Sequence, residues 1–385
     1  MYNVKVWHGH ARIRNDPRRP MTLDSPSPLP TPDGGRAIAL EHLIGSSSSK
    51  SDDELLNFLG VDALTIVNGS KCETGTLKMW AGYRIVQKAL EKIREATNGS
   101  RYNLHKRFTL PIFSSGNTES AVRAALSFFK EHGSTEVDWI DLVVVPPEDP
   151  IPSGPISAAS LDANSAYFCD MMIFHFREAL LQNIPLPDVI VVPVGSGMLA
   201  AGVMNASRFL NKLKSMDPNH ALLYLNSNLN PKNLHFFTGN DPSDASSKTN
   251  PPVLLAIEEG SWLTQNTPNT SASNIIQFSP TVQTPVATRL SLTRIPAPTL
   301  GALNKFKTDH GNNRTVCVPS EDIITATTTL NQNGIQAEES AATAFAALKQ
   351  AVQENPDEFR GKNIWVVNSG QGEAGRQKWN PPHST

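Results

Sequence analysis

Lys78 closes the run Glu73-Thr74-Gly75-Thr76-Leu77-Lys78. Glycine and small hydroxyl residues ahead of an ε-amine let backbone approach a ligand closely. A desolvated amine loses its proton readily and can then attack a carbonyl. Three more loops follow in chain order: Ser114-Ser115-Gly116-Asn117-Thr118, Gly195-Ser196-Gly197-Met198, and Ser369-Gly370-Gln371-Gly372. The first of these offers hydroxyls beside a carboxamide. The next gives glycine-rich backbone after an apolar run, and the last a hydroxyl after another apolar run. An amine to condense with an aldehyde, backbone amides to hold a phosphate, and a hydroxyl to meet a ring nitrogen make one chemical set. Any single match is weak, but four in this order are specific.

The set suits pyridoxal 5'-phosphate as cofactor. Lys78 is then both the covalent anchor and the general base at the α-carbon of an amino-acid substrate. Gly195, Ser196, Gly197 and Met198 cradle the phosphate, and Ser369 faces the pyridine nitrogen. Thr74, Ser114, Ser115, Gly116 and Thr118 form a pocket for the substrate carboxylate, with the Asn117 amide beside the cofactor's phenolic oxygen. A neutral hydroxyl does not hold the ring nitrogen protonated as a carboxylate would, which favours elimination and replacement over transamination. Glu338, in Ala337-Glu338-Glu339-Ser340, either lines the ring or is a helix-start acid that satisfies the dipole.

Plainer readings stand beside these. Ser, Asn and Thr are preferred N-caps, so the 114–118 loop serves as cap, anion site or both. The Gly-Ser-Gly loop also fits an ordinary strand-to-helix turn. A dinucleotide site there lacks the third glycine and an early position in the chain. Ser369 beside glycine also fits a polar turn.

The elements that must position these loops alternate. Helical patterns cover 54–59, 80–96, 119–132 with Gly133 at the C-cap, 169–183, the stretch from the Gly-Ser-Gly loop to about Leu213, and 339–353. Strand patterns cover 63–67, 108–113, 142–146, 189–194, 221–225 and 363–367. Such alternation predicts an α/β fold with parallel-rich sheets flanked by helices. The segment 12–35 reads as a Pro-rich arm, 46–51 as a serine-rich connection, 226–250 as a long polar loop, and 265–273 as irregular.

Composition narrows the function classes. The 385 residues suffice for two domains sharing a cleft. A formal net charge of -2 implies no surface for nucleic acid or other polyanions. No apolar run approaches the ~20 residues of a membrane span, and no secretory leader is expected. Cys72, Cys169 and Cys317 are three and far apart, as in reduced thiols of a cytoplasmic protein. No histidine spacing suggests a metal site.

The loops resemble those of fold-type II pyridoxal phosphate enzymes, namely threonine synthase, threonine ammonia-lyase and cysteine synthase. The resemblance runs from about Asn68 to Gly372. Thr74-Gly75-Thr76-Leu77-Lys78 is similar to the threonine synthase lysine loop, and Ser115-Gly116-Asn117-Thr118 has the threonine usual in synthases. Thr288 to Pro296 and Gly334-Ile335-Gln336-Ala337-Glu338 also resemble threonine synthase stretches. Val194-Gly195-Ser196-Gly197-Met198-Leu199-Ala200-Ala201-Gly202 is closer to the ammonia-lyase phosphate loop. Met79-Trp80 stand where the family usually has an arginine, and Ser27-Pro28-Leu29 replaces its Thr-Pro-Leu.

The resemblance implies a tryptophan synthase β-like architecture and a homodimer. It implies a large cofactor-binding domain from 1–80 and 186–385, with a smaller mobile domain over 81–185. The implied activity is a threonine synthase-like lyase or synthase working by β- or γ-elimination or replacement. A serine/threonine ammonia-lyase and a non-catalytic protein on the same scaffold are the alternatives. A nicotinamide-dependent oxidoreductase is a more distant one.

Overall fold

Alternate residues along three neighbouring strands enter two different apolar cores. Val189, Val191, Leu254, Ala256, Ile364 and Val366 belong to one; Ile190, Val192, Leu255, Ile257, Trp365 and Val367 belong to the other. A strand with period-two side chains that are apolar on both faces must be covered on both, and here helices cover it. In this computed structural model the described residues are 39–45, 49–72, 74–97, 108–113, 117–145, 157–228, 253–261, 263, 275–277, 285–288, 290, 294–296, 299–301, 303–304, 306 and 315–372.

The strands are β1 (Ala39–Ile44), β2 (Ala63–Asn68), β3 (Phe108–Phe113), β4 (Ile140–Val145), β5 (Val189–Pro193), β6 (Val253–Glu258), β7 (Ile275–Gln277), β8 (Arg294–Pro296), β9 (Thr315–Val318) and β10 (Ile364–Asn368). Among the described residues the helices are α1 (Lys50–Leu59), α2 (Lys78–Thr97), α3 (Asn117–Glu131), α4 (Ser157–Gln182), α5 (Met198–Ser207), α6 (Leu210–Lys214), α7 (Pro218–Asn228), α8 (Ser320–Gln332), α9 (Glu339–Glu354) and α10 (Pro356–Phe359). A six-stranded sheet has the order β1-β2-β10-β5-β6-β9. All its pairs are parallel except β1 with β2. β3 and β4 form a separate parallel pair, and β7 and β8 an antiparallel one. The fold is therefore α/β, with a mixed sheet between helical layers.

Each face has its own reason to bind its helices. α1, α8 and α9 bring Leu55, Leu59, Ile323, Leu330, Phe345 and Leu348 to one face. α2, α4 and α5 bring Val86, Leu90, Met172, Phe176 and Val203 to the other. Close packing of α2 on α3 needs Gly82, where a Cβ would lie 2.5 Å from the Ala121 backbone. The α2–α4 contact is polar as well. Arg84 pairs with Asp170 at 3.1 Å, both side chains under a tenth exposed. Burial outweighs the arginine and pushes the Asp170 carboxyl up to about 6.

Several expectations need correction. The stretch 221–225 is not a strand but the middle of α7. Asp217 Oδ1 accepts from the N–H groups of Asn219 and His220 at 3.1 Å, which starts a helix at Pro218. Its buried residues are then Ala221 and Leu225, a helical i, i+4 pair, and Leu223 is 66% exposed. Helix α7 also takes residues 226–228 from the expected loop. The serine run ends as structure, since Ser49 caps α1 in a capping box with Asp52. Helix α4 begins twelve residues before the expected 169, at Ser157. Strands β1, β6, β7, β8 and β9 and helix α8 were not foreseen; the antiparallel β1 edge leaves the sheet parallel-rich, as expected. The arm at 12–35, the rest of the polar loop at 229–250 and the stretch 265–273 lie outside the described residues.

Candidate active site

Parallel neighbours β2, β10 and β5 all send their next loops to one end of the sheet. Open α/β sheets bind ligands at the carboxyl ends of their strands. β2 leads to the lysine loop, β10 to the Ser369 loop and β5 to the Gly-Ser-Gly loop. Three of the four loops thus meet at one edge because of strand order alone.

Hydrogen bonds then tie the first loop to the fourth. Leu77 N–H donates to Ser369 O at 3.0 Å, and Gln371 N–H to Gly75 O at 2.9 Å. Thr76 Oγ1 donates to Ser369 O at 3.1 Å, and Thr76 and Gly370 form an antiparallel bridge. Gly370 is obligatory here, because a Cβ would sit 2.6 Å from Gly75 O. Thr74, fully buried, donates from Oγ1 to Thr76 O at 3.3 Å, and Thr76 Oγ1 accepts from Lys78 N–H at 3.3 Å. The lysine is the first residue of α2 and half-buried, held by a loop with few alternatives.

Under this pair of loops lies a polar lock that the sequence reading missed. Asn68 and Asn368 are register partners at the ends of β2 and β10. Asn368 Nδ2 donates to Asn68 Oδ1 at 2.9 Å and to Gln336 O at 2.9 Å. Asn68 Nδ2 donates to Glu41 Oε1 at 3.1 Å, and Asn368 Oδ1 accepts from Gly370 N–H at 3.2 Å. The available signal was an asparagine closing each apolar strand directly before Gly69 and Ser369.

The second loop arrives through Glu338. Asn117, at the head of α3, donates from Nδ2 to Glu338 Oε1 at 3.3 Å, and Glu338 N–H donates to Gly370 O at 3.0 Å. Glu338 occupies the N-cap position of α9, yet its side chain makes no cap bond. Its carboxylate thus reaches the head of α3 while its backbone stands at the start of α9. Thr118 follows Asn117 as the second residue of α3. Ser114, Ser115 and Gly116 lie outside the described residues.

The third loop is built for an anion. Gly197, with φ 81, is the N-cap of α5, and no side chain caps that helix. Its first-turn N–H groups and dipole therefore face the loop without an internal anion. A Cβ on Gly197 would meet Leu303 Cδ1 at 2.4 Å and Thr299 Cγ2 at 2.7 Å. Gly195, Ser196 and Met198 are half-buried around it. An aldehyde cofactor with a phosphate group fits these parts: an amine on a bound loop, an uncapped helix start and an orphaned buried acceptor at Asn117 Oδ1. Ser369 is half-buried beside the amine loop.

Directly after Lys78 the chain turns apolar. Met79 is fully buried, and Trp80, 5% exposed, packs on Phe174 with ring centroids 5.3 Å apart. The next cation along α2, Arg84, is committed to Asp170. Among the described residues no three His, Cys, Asp or Glu side chains gather as a metal site. No described helix is long and apolar enough to cross a membrane.

No protein-family model matches the chain, and no curated protein matches it. Solved structures that overlay on it include maize serine racemase, at 13% identity and TM-score 0.48 over 87% of this chain and 89% of that one. A fungal L-serine ammonia-lyase from Rhizomucor miehei overlays at 15% identity and TM-score 0.49, covering 89% of this chain and 98% of the other. A pyridoxal 5'-phosphate-dependent aspartate racemase overlays at 13% and 0.49, covering 87% and 91%.

Proposed function

We propose that the chain is a pyridoxal phosphate enzyme of the fold-type II kind, which removes or replaces a β- or γ-substituent of a small amino acid. The observation that carries this reading is the hydrogen-bonded zipper between the Lys78 loop and the Ser369 loop, at the carboxyl ends of adjacent parallel strands. It sets an amine and a neutral hydroxyl on two loops that cannot move independently. When bound, the cofactor supplies an aldehyde for the substrate amine and a ring that withdraws electrons from the α-carbon.

The chain's own residues do the rest. Lys78 provides the anchoring amine and later moves the proton at the substrate α-carbon. The N–H groups at the head of α5 and the Gly195–Gly197 backbone hold the phosphate. Ser369 leaves the ring nitrogen unprotonated, which steers the chemistry toward elimination. Thr74 and Thr118 are assigned to the substrate carboxylate. The part from 81 to 185 moves as a smaller domain that closes over the substrate and excludes water. Pairing of two copies as a homodimer, in the cytoplasm, completes the reading.

Within this class the threonine synthase-like reading is the finer proposal. A serine/threonine ammonia-lyase is favoured by one specific observation. Among the described residues, the positions after Lys78 hold buried Met79 and Trp80, and Arg84, the next cation along α2, is paired with Asp170. That favours an unphosphorylated substrate. Release of a 2-oxoacid from serine or threonine, against formation of threonine from phosphohomoserine, separates the two.

The class is tested at Lys78. The purified protein should absorb in the visible as a cofactor imine, and Lys78→Ala should abolish both that band and turnover, at least 10³-fold by the loss of a covalent catalyst. Retained turnover in the variant overturns the mechanism. A protein that shows the band but responds to no amino acid supports the non-catalytic alternative.

A further inference from the structure

Asn368 closes β10 directly before Ser369 and is wholly buried. Asparagine is a poor strand residue, and a buried carboxamide is costly unless its bonds are met. Here three different segments meet them. The Nδ2 hydrogens go to Asn68 Oδ1 at the end of β2 and to Gln336 O, each at 2.9 Å, and Oδ1 accepts from Gly370 N–H at 3.2 Å. Backbone partners fix which end is which, since a carbonyl only accepts and an N–H only donates. Ser70 N–H fixes Asn68 in the same way, by donating to its Oδ1 at 3.1 Å. The two strand ends also meet through backbone: a Cβ on Gly69 would lie 2.7 Å from Asn368 O and 2.9 Å from Ser369 O. A buried polar group bonded this fully rigidifies its surroundings and specifies one arrangement.

We propose that Asn368 is a positioning residue, which pins the Ser369 turn to the end of the lysine strand and so sets the Ser369 hydroxyl relative to the Lys78 amine. The inference rests on the cofactor reading of the site given above. Two loops joined only to each other can still swing together on their strands. The carboxamide removes that freedom. It ties the turn to β2 on one side and to the 336–338 stretch on the other, where Glu338 N–H donates to Gly370 O at 3.0 Å. A one-atom change isolates the effect. In Asn368→Asp an oxygen replaces the NH₂ and faces two acceptors, Asn68 Oδ1 and Gln336 O, while the acceptor for Gly370 N–H stays. The turn keeps its own bond and loses its ties.

The test has one arm without cofactor and one with it. Hydrogen exchange in the cofactor-free protein reads the loops directly. The Leu77 and Gln371 amides bond across the zipper and not to Asn368. In Asn368→Asp they should exchange roughly tenfold faster, the scale of one lost buried hydrogen bond. In the loaded protein the pH midpoint of the visible cofactor band should move by about one unit, the same energy read as a titration. Ser369→Ala should move it in the same direction, and the double variant no further, because Asn368 acts through that hydroxyl. A residue that only supports the fold would lower the stability seen in urea melts and leave the midpoint in place. Asn368→Ala, which removes all three bonds and adds no charge, serves if the aspartate variant fails to fold. Unchanged exchange at Leu77 and Gln371, an unmoved midpoint, or additive shifts in the double variant overturns the proposal. A wild type that takes up no pyridoxal phosphate overturns the functional reading, and the role at the cofactor with it, whatever the exchange arm gives.

Discussion

Gly370 shows how one residue can decide the geometry of a site. The lysine loop and the loop after β10 touch at backbone distance, so Gly370→Ala would place a methyl 2.6 Å from Gly75 O and 3.1 Å from the Thr76 backbone. The loops must separate, and with them go the Leu77–Ser369 and Gln371–Gly75 hydrogen bonds. Forced overpacking of this kind costs about 1–3 kcal/mol. Gly370→Ala should lower the unfolding free energy of the cofactor-free protein, read from urea melts, by that amount. It should also lower cofactor affinity on the proposed reading, because the zipper no longer fixes the start of α2, where Lys78 stands. An alanine variant that melts and binds cofactor as the wild type does would show that the zipper is not what sets the amine.

At the scale of elements, the polar seam between α2 and α4 gives stability an unusual pH dependence. Burial raises Asp170 from 3.8 to about 6, against the pull of Arg84 and Lys88. A raised folded pKa stabilises fully below about pH 4, and the contribution is lost as pH rises through 6. His175, fully buried one turn further along α4, is lowered from 6.5 to about 4 by burial, although its Nδ1–H donates to Met171 O. Its contribution is present above pH 6.5 and lost as pH falls through 4. The two oppose each other between those limits. Asp170→Asn should therefore make the protein lose stability more steeply on acidification, and His175→Leu less steeply, by up to about 1.4 kcal/mol per pH unit. Urea midpoints taken across that range check both signs, and parallel profiles would refute the argument. This seam was hidden in the sequence because a lone arginine, aspartate and histidine on helical patterns look like solvated faces. Three of the candidate loops were legible as breaks after strands, since glycine and small polar residues interrupt apolar runs visibly. Residues 221–225 were misread because the apolar stretch is short, and the Asp217 cap that decides for helix acts from four positions upstream.

For the whole molecule, the same apolar cluster runs through α2, β3 and α4 and on into β5 and β10. Two contacts mark the crossing. Phe176 on α4 packs against Trp365 on β10 with ring centroids 5.7 Å apart, and Trp365 Nε1 donates to Pro185 O at 3.1 Å. Pro185 is where the sequence reading ends the smaller unit, so the indole fastens that boundary to the middle of the large sheet. The closure of 81–185 proposed above would therefore have to bend around the joint at Trp365 rather than slide as a free body. Shared burial of this kind couples parts into one cooperative unit. Trp365→Phe keeps an aromatic core residue but gives up the indole donor and some packing, a loss of about 1–3 kcal/mol. Intrinsic fluorescence and far-UV ellipticity should trace one transition in the wild type, and both should shift together in the variant, because the apolar cluster still spans the joint. Two separated transitions in Trp365→Phe would mean that the indole alone unites the parts, and two in the wild type would mean that continuous packing does not couple them.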